Sequence, residues 1–310
     1  MPTQTRPADT ALGVILIADS GSTKTDWALL RRGCAPLTFH TSGINPVQMN
    51  AEQMASALSE LRAILPAQTI ISEVYFYGAG CIRGKRQAAV EEAIREQLKD
   101  YLLPKEEVNH NGGQSNEGDA VHVESDMLGA ARALCQREAG IACILGTGSN
   151  SCLYDGERIL SNTPPLGYIL GDEGSGAYIG RALVSNILKG IAPQRIVDLF
   201  KEETGLSQEA VIDHVYRHPL ANRWLASLMP FVERHKEEDS VRALVKEAFT
   251  AYLRRNILQY QRPDLPLNFT GSISFTYEDI LREALADEGM KMGALVARPI
   301  DGLITYHNGK

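Results

Sequence analysis

No Cys-x-x-Cys pair occurs among the five cysteines, Cys34, Cys81, Cys135, Cys143 and Cys152, and their number is odd. Neither a zinc ribbon nor a disulfide framework is indicated, and reduced core thiols are the plain reading. His214 and His218 stand four apart, but no Glu follows the first as a zinc-peptidase helix requires, so packed or solvated imidazoles are expected. No apolar run approaches the roughly 18 residues of a membrane helix. Met1 to Thr10 also lacks the basic-then-apolar layout of a secretion signal, so a cytoplasmic protein with no membrane partner is expected. Basic charge is short as well: 31 Lys and Arg against 38 Asp and Glu leave a formal net charge of −7. The cluster Arg83, Lys85, Arg86 is too small to make a polyanion-binding stripe, which argues against a nucleic-acid partner.

What the chain does have is room for two modest domains in 310 residues, with 44% hydrophobic and 22% charged residues. It also has two glycine turns about 120 residues apart. One lies in Ile15 to Leu30 around Asp19-Ser20-Gly21-Ser22-Thr23-Lys24, the other in Ile141 to Tyr154 around Gly146-Thr147-Gly148-Ser149-Asn150. Each reads as strand, tight turn, strand. Glycine lets backbone N–H groups approach an anion, and hydroxyls with one Lys add donors suited to phosphate oxygens. Lys24 follows Thr23 rather than glycine, so the first turn is not a Walker A loop.

Periodicity predicts strands near Val14 to Ala18, Asp26 to Leu30, Leu37 to His40 and Val74 to Tyr77, with helices over Ala51 to Ile64 and about Lys85 to Leu103. A breaker-rich stretch, Asn109 to Gly118, precedes a short strand at Val121 to Val123 and a helix over Met127 to Arg137. The order then restarts: strands at Ile141 to Leu145, Ser151 to Asp155 and Arg158 to Ser161, and a helix over Gly176 to Lys189. A helical block (about 190–262) leads to a strand at Leu267 to Thr270, a helix at Tyr277 to Ala286 and a strand near Lys291 to Leu295. The architecture repeats although the residues do not. Two like domains, 1–118 and 119–310, are expected, the second carrying the helical insertion.

Four segments in this order carry a family resemblance: Asp19 to Trp27, Gly43-Ile44-Asn45-Pro46, Gly146 to Asn150 and Gly171-Asp172-Glu173-Gly174-Ser175. The chain resembles the sugar kinase, Hsp70 and actin superfamily, in the branch that holds N-acetylglucosamine kinase, N-acetylmuramic acid kinase and the BadF/BadG-type ATPases. That resemblance implies an α/β fold of two ribonuclease H-like (actin-like ATPase) domains with a nucleotide and sugar cleft between them.

By position, the resemblance implies that Asp19 holds Mg2+ through water and that Thr23 and Lys24, with Gly21 and Ser22 in the turn, contact the outer phosphates of ATP. Thr147 would meet the triphosphate, and Gly271 and Ser272, in Phe269-Thr270-Gly271-Ser272-Ile273, the adenosine. Asn45, Ser149, Asn150, Gly167 and Asp172 match sugar-binding positions. Glu173 is either structural or a second hydroxyl acceptor. Asp126 aligns with the catalytic carboxylate that takes a proton from the acceptor hydroxyl. Glu124 is the competing base, and a helix N-cap is the bland role for Asp126.

The implied activity is phosphorylation of a small 2-acetamido sugar, with O6 as the expected acceptor. Val47 stands where the animal enzymes have an aromatic, and Pro165-Leu166-Gly167 replaces Gly-Trp-Gly. Both changes remove bulk, so N-acetylglucosamine and N-acetylmuramic acid both stay open. Two other readings are an activase ATPase coupled to an iron–sulfur cluster, which needs exposed thiolates, and a non-enzymatic sugar sensor. A homodimer is implied by the resemblance alone.

Overall fold

The structure, a computed structural model, describes residues 14–21, 23–103 and 120–308. The chain forms two compact units, one running to Gly129 and resuming at Ile300, the other Ala130–Pro299.

The first unit contains β1 (Val14–Ser20), β2 (Lys24–Leu30), β3 (Leu37–Ser42), α1 (Ala51–Ile64), β4 (Ile71–Gly78), α2 (Lys85–Leu98) and β5 (Val121–Ser125), followed by α3 (Asp126–Cys135). Its sheet runs β3-β2-β1-β4-β5, antiparallel across β3, β2 and β1 and parallel from β1 through β5. The central strand β1 is buried along most of its length, as a near-continuous apolar run in a covered sheet should be. On α1, Met54, Ala57, Leu58 and Leu61 recur at helical spacing and pack with Leu16, Trp27 and Phe76. Asn50 and Gln53 close a capping box that fixes where α1 begins. On α2, Val90, Ile94 and Leu98 supply the same kind of stripe.

The second unit contains β6 (Gly140–Leu145), β7 (Ser149–Tyr154), β8 (Ile159–Ser161), α4 (Gly167–Leu170) and α5 (Gly176–Leu188). A helical block follows: α6 (Gln194–Thr204), α7 (Gln208–Tyr216), α8 (Ala221–Ala226), α9 (Met229–Arg234) and α10 (Asp239–Tyr252), continued by a π-helical turn, Leu253–Ile257. Then come β9 (Leu267–Thr270), α11 (Ser272–Thr276), α12 (Glu278–Asp287) and β10 (Met292–Val296). The sheet order β8-β7-β6-β9-β10 repeats that of the first unit strand for strand. Its core joins Cys143, Leu145 and Phe269 to Phe200, Phe231, Val245 and Phe249 of the helical block.

Three expectations are corrected. The boundary at 118/119 moves to 129/130, because β5 pairs with β4 from Val74↔Val121 to Gly78↔Ser125 and so completes the first sheet. The chain beyond Ile300 does not stay with the second unit: α13 (Pro299–Asn308) returns to the first, where His307 Nε2 lies 3.0 Å from Tyr77 Oη and its ring 4.1 Å from that of Tyr75. The helix expected to reach Leu103 stops at Leu98. Residues 101–103 instead exchange hydrogen bonds with Ile71, whose N–H donates to Tyr101 O and whose carbonyl accepts from Leu103 N. The stretch Asn109 to Gly118 lies outside the described residues.

Candidate active site

In the first unit the β1–β2 turn is closed by Gly21 N donating to Lys24 O at 3.0 Å, leaving Thr23 and Lys24 exposed. Ser22, assigned to the same turn, lies outside the described residues. Asp19 and Asp26 face each other across the strand pair, and Ser20 faces Thr25. The Ser20 hydroxyl, fully buried, lies 2.7 Å from Thr25 Oγ1 and accepts from Ile44 N at 3.0 Å. Gly43 N donates to Thr23 O at 3.1 Å. The turn and the Gly43-Ile44-Asn45-Pro46 loop are therefore one hydrogen-bonded body. In the sequence neither Ser20 nor Thr25 stands out, because a hydroxyl that braces a loop looks like one that binds phosphate.

Asn45 is buried, and its Oδ1 accepts from Val47 N at 2.9 Å, which orients the carboxamide. Gly80 makes this possible. It sits at φ +78°, and a Cβ there would lie 2.5 Å from Asn45 Oδ1.

Asp126 is the first residue of α3. The cap is Ser125, whose Oγ accepts from Leu128 N at 3.2 Å, while Asp126 Oδ1 accepts from Met127 N at 2.8 Å. The bland role proposed for Asp126 thus belongs to its neighbour. Helix α3 is pressed onto β4, where a Cβ at Gly129 would meet Tyr77 Cβ at 2.7 Å.

Burial pushes the Asp126 carboxyl up to about 6, against the hydrogen bond from Met127 N that lowers it. Asp19 is pushed up to about 7, by burial first and then by the charges of Asp26 and Asp126, with Lys24 acting the other way. These carboxylates of one unit thus sense one another. Glu124 lies within β5, opposite Tyr77.

In the second unit Gly146 N closes the β6–β7 turn on Gly148 O at 2.9 Å, and Thr147 is exposed. The first N–H groups of α5 hold this turn, Gly176 N to Gly146 O at 2.8 Å and Ala177 N to Thr147 O at 3.1 Å. Asp172 adopts a left-handed φ of 52°, fixed by its N–H to Pro165 O at 2.9 Å, and its Oδ1 accepts from Ser149 N at 3.4 Å. Burial raises its carboxyl pKa, partly offset by the Ser149 N–H. Ser149 and Asp172 are therefore brought together. Gly167 opens α4 in an exposed, apolar lip with Leu166 and Ile169.

Asn150 is more occupied than its pattern suggests, since Asn162 Nδ2 donates to its Oδ1 at 2.8 Å and Tyr252 Oη to its carbonyl at 2.9 Å. Glu173 is structural. Its Oε1 lies 2.8 Å from Arg255 Nε and its Oε2 accepts from Asn256 Nδ2 at 3.3 Å, both residues belonging to the π-helical turn. Gly271, at φ +103°, brings its backbone against β6, where a Cβ would lie 2.3 Å from Leu145 O. Ser272 beside it is exposed.

Among the described residues no group of three or more His, Cys, Asp or Glu side chains could hold a metal ion directly. A hard divalent cation that keeps most of its waters needs only one or two carboxylates, and Asp19 with its acidic neighbours fits that demand. The thiols fit no metal. Burial pushes Cys81 and Cys152 to about 12 and Cys135 to about 11, and raises Cys143 further, leaving Cys34 as the exposed cysteine. Among the described residues no helix is long and apolar enough to cross a membrane.

The chain is similar in structure to a candidate N-acetylglucosamine kinase from Porphyromonas gingivalis, with 44% identity and a TM-score of 0.85 over 96% of this chain and 99% of that one. It is also similar to a candidate N-acetylglucosamine kinase from Chromobacterium violaceum, at 18% identity and TM-score 0.70 over 96% and 99% of the two chains. A ROK-family glucokinase from Streptomyces griseus, solved with glucose and AMPPNP, matches at 14% identity and TM-score 0.57 over 95% and 98%. The last two speak for the fold alone. No family model and no curated protein matches the chain.

Proposed function

The chain belongs to the same family as the Porphyromonas gingivalis protein, among the phosphotransferases that act on sugars with the actin-like ATPase fold, and on that premise we propose that it phosphorylates a 2-acetamido sugar at O6 with ATP and Mg2+. The observation that carries this reading is Asp126. Ser125 supplies the cap at Leu128 N, Asp126 Oδ1 takes the Met127 N–H, and burial lifts the Asp126 carboxyl to about 6, so it is ionised at neutral pH yet basic enough to take a proton.

In the proposed reaction Asp126 accepts the proton of the sugar hydroxyl as that oxygen bonds to the γ-phosphorus. The bond from the γ-phosphorus to the β–γ bridging oxygen breaks, and ADP departs with that electron pair. Thr23, Lys24 and Thr147 hold phosphate oxygens, and Gly271 and Ser272 the adenosine. Asp19 would hold Mg2+ through water, and the ion would neutralise charge on the phosphates. Asn45, Ser149, Asn150, Gly167 and Asp172 orient the sugar, Asn150 through what its bonds to Asn162 and Tyr252 leave.

N-acetylglucosamine and N-acetylmuramic acid are the two candidate acceptors. Val47 and Pro165-Leu166-Gly167, which carry less bulk than the animal enzymes have at these positions, are what keep a 3-O-lactyl group among the candidates. The test is ATP consumption with Mg2+ and N-acetylglucosamine, N-acetylmuramic acid, glucose or no sugar. Turnover with either acetamido sugar and little with glucose is expected, and hydrolysis independent of sugar would overturn the reading.

A further inference from the structure

A buried carboxylate in the first unit has no role in the reaction described above. Asp26 lies directly opposite Asp19 in the β1–β2 pair and is 5% exposed. Two like charges facing each other across a strand pair are unfavourable, and a neutral residue of similar size would serve packing better. What Asp26 does have is two side-chain partners. Lys24 Nζ lies 3.0 Å from Oδ2 and 3.3 Å from Oδ1, and His40 Nδ1, reaching across from β3, lies 2.5 Å from Oδ1. The Lys24 side chain is itself 64% exposed. The lysine is thus held from the buried side and offered on the other.

We propose that Asp26 is a positioning residue for phosphoryl transfer, holding the Lys24 ammonium on the face it shares with Asp19 so that the lysine meets the nucleotide phosphates already ordered, with the His40 ring as the second partner that fixes the carboxylate in place. This rests on the kinase reading. A free lysine loses much of its rotamer freedom when it binds a phosphate, and the Asp26 pair imposes that loss beforehand. The groups that face the pair are Asp19, opposite Asp26 on β1, and His40 on β3.

The test is a double-mutant cycle of Asp26→Asn and Lys24→Met, read by calorimetric nucleotide affinity and by KM for ATP against kcat. Asp26→Asn alone should weaken nucleotide binding about tenfold, the scale of one charge-assisted hydrogen bond. In the Lys24→Met background it should add nothing, because its effect passes through the lysine. Asp26→Ser, which keeps the strand and loses the charge, should behave as Asp26→Asn does and guards against a folding defect in one variant. Additive losses, or an Asp26→Asn protein with native affinity, would overturn the proposal while leaving the kinase standing. A native protein that binds no nucleotide would overturn both.

Discussion

In the proposed reaction Asp126 is under two opposed demands, to stay buried against the sheet and to be charged when the acceptor hydroxyl arrives. Asp126→Asn should lower kcat by about two to four orders of magnitude, the usual worth of a general base, while calorimetry shows nucleotide binding intact. Because the base must be ionised, kcat/KM of the native protein should fall as pH drops through about 6. The same variant should be the more stable protein. Burial raises the folded-state pKa above its ordinary 3.8, so the folded chain holds that proton more tightly than the unfolded one. The resulting stabilisation is full below pH 3.8 and is lost as pH rises through about 6. Asp126→Asn, neutral throughout, should therefore melt above the native protein at pH 8 and level with it near pH 3.5. A melting point no higher at pH 8 would show that the carboxylate is not strained in place.

At the scale of elements, the start of α3 and the strand end before α11 carry the proposed base and the proposed adenosine contact. Ser125→Ala removes the cap and should cost about 1 kcal/mol in chemical denaturation. With the first turn of α3 loosened, kcat should drop more than KM rises. Gly271→Ala forces a Cβ toward Leu145 O at a left-handed φ and should cost about 1–3 kcal/mol or more, with weakened nucleotide binding in calorimetry.

These same elements show what a linear reading of the chain can reach. The turns, the span of α1 and the limits of β9 follow from local periodicity and capping, and the structure has them where periodicity predicts. The bracing of Ser20 by Ile44 and of Glu173 by Arg255 and Asn256 joins residues 24 to 83 positions apart, and nothing in the local pattern marks it. The short helices α4 and α11 escaped for a related reason. Their first residues look like the glycine turns they also are, and four or five residues hold too little periodicity to read.

At the scale of the whole molecule, the two sheets share one strand order, yet the units are not equal segments of chain. The first is finished by α13, which buries Ile300, Leu303, Tyr306 and His307. Ending the chain at Arg298 would expose roughly 5 kcal/mol of apolar packing, on the order of a domain's net stability. Hydrogen exchange should show the loss of protection concentrated in residues 14–129 rather than 130–298, and turnover should vanish although the reaction assigned above uses no side chain of α13. Uniform loss across both units would contradict the division described here.

A ribosome builds this protein in the order of its residues, and residues 299–308 are made after the whole second unit. The segment that carries Asp19 and Asp126 is made before the second unit and completed after it. A nascent chain can hold a folded second sheet while the strands that carry Asp19 and Asp126 still lack α13. The proposed base and phosphate turn therefore gain the support of α13 only after residues 130–298 have been made.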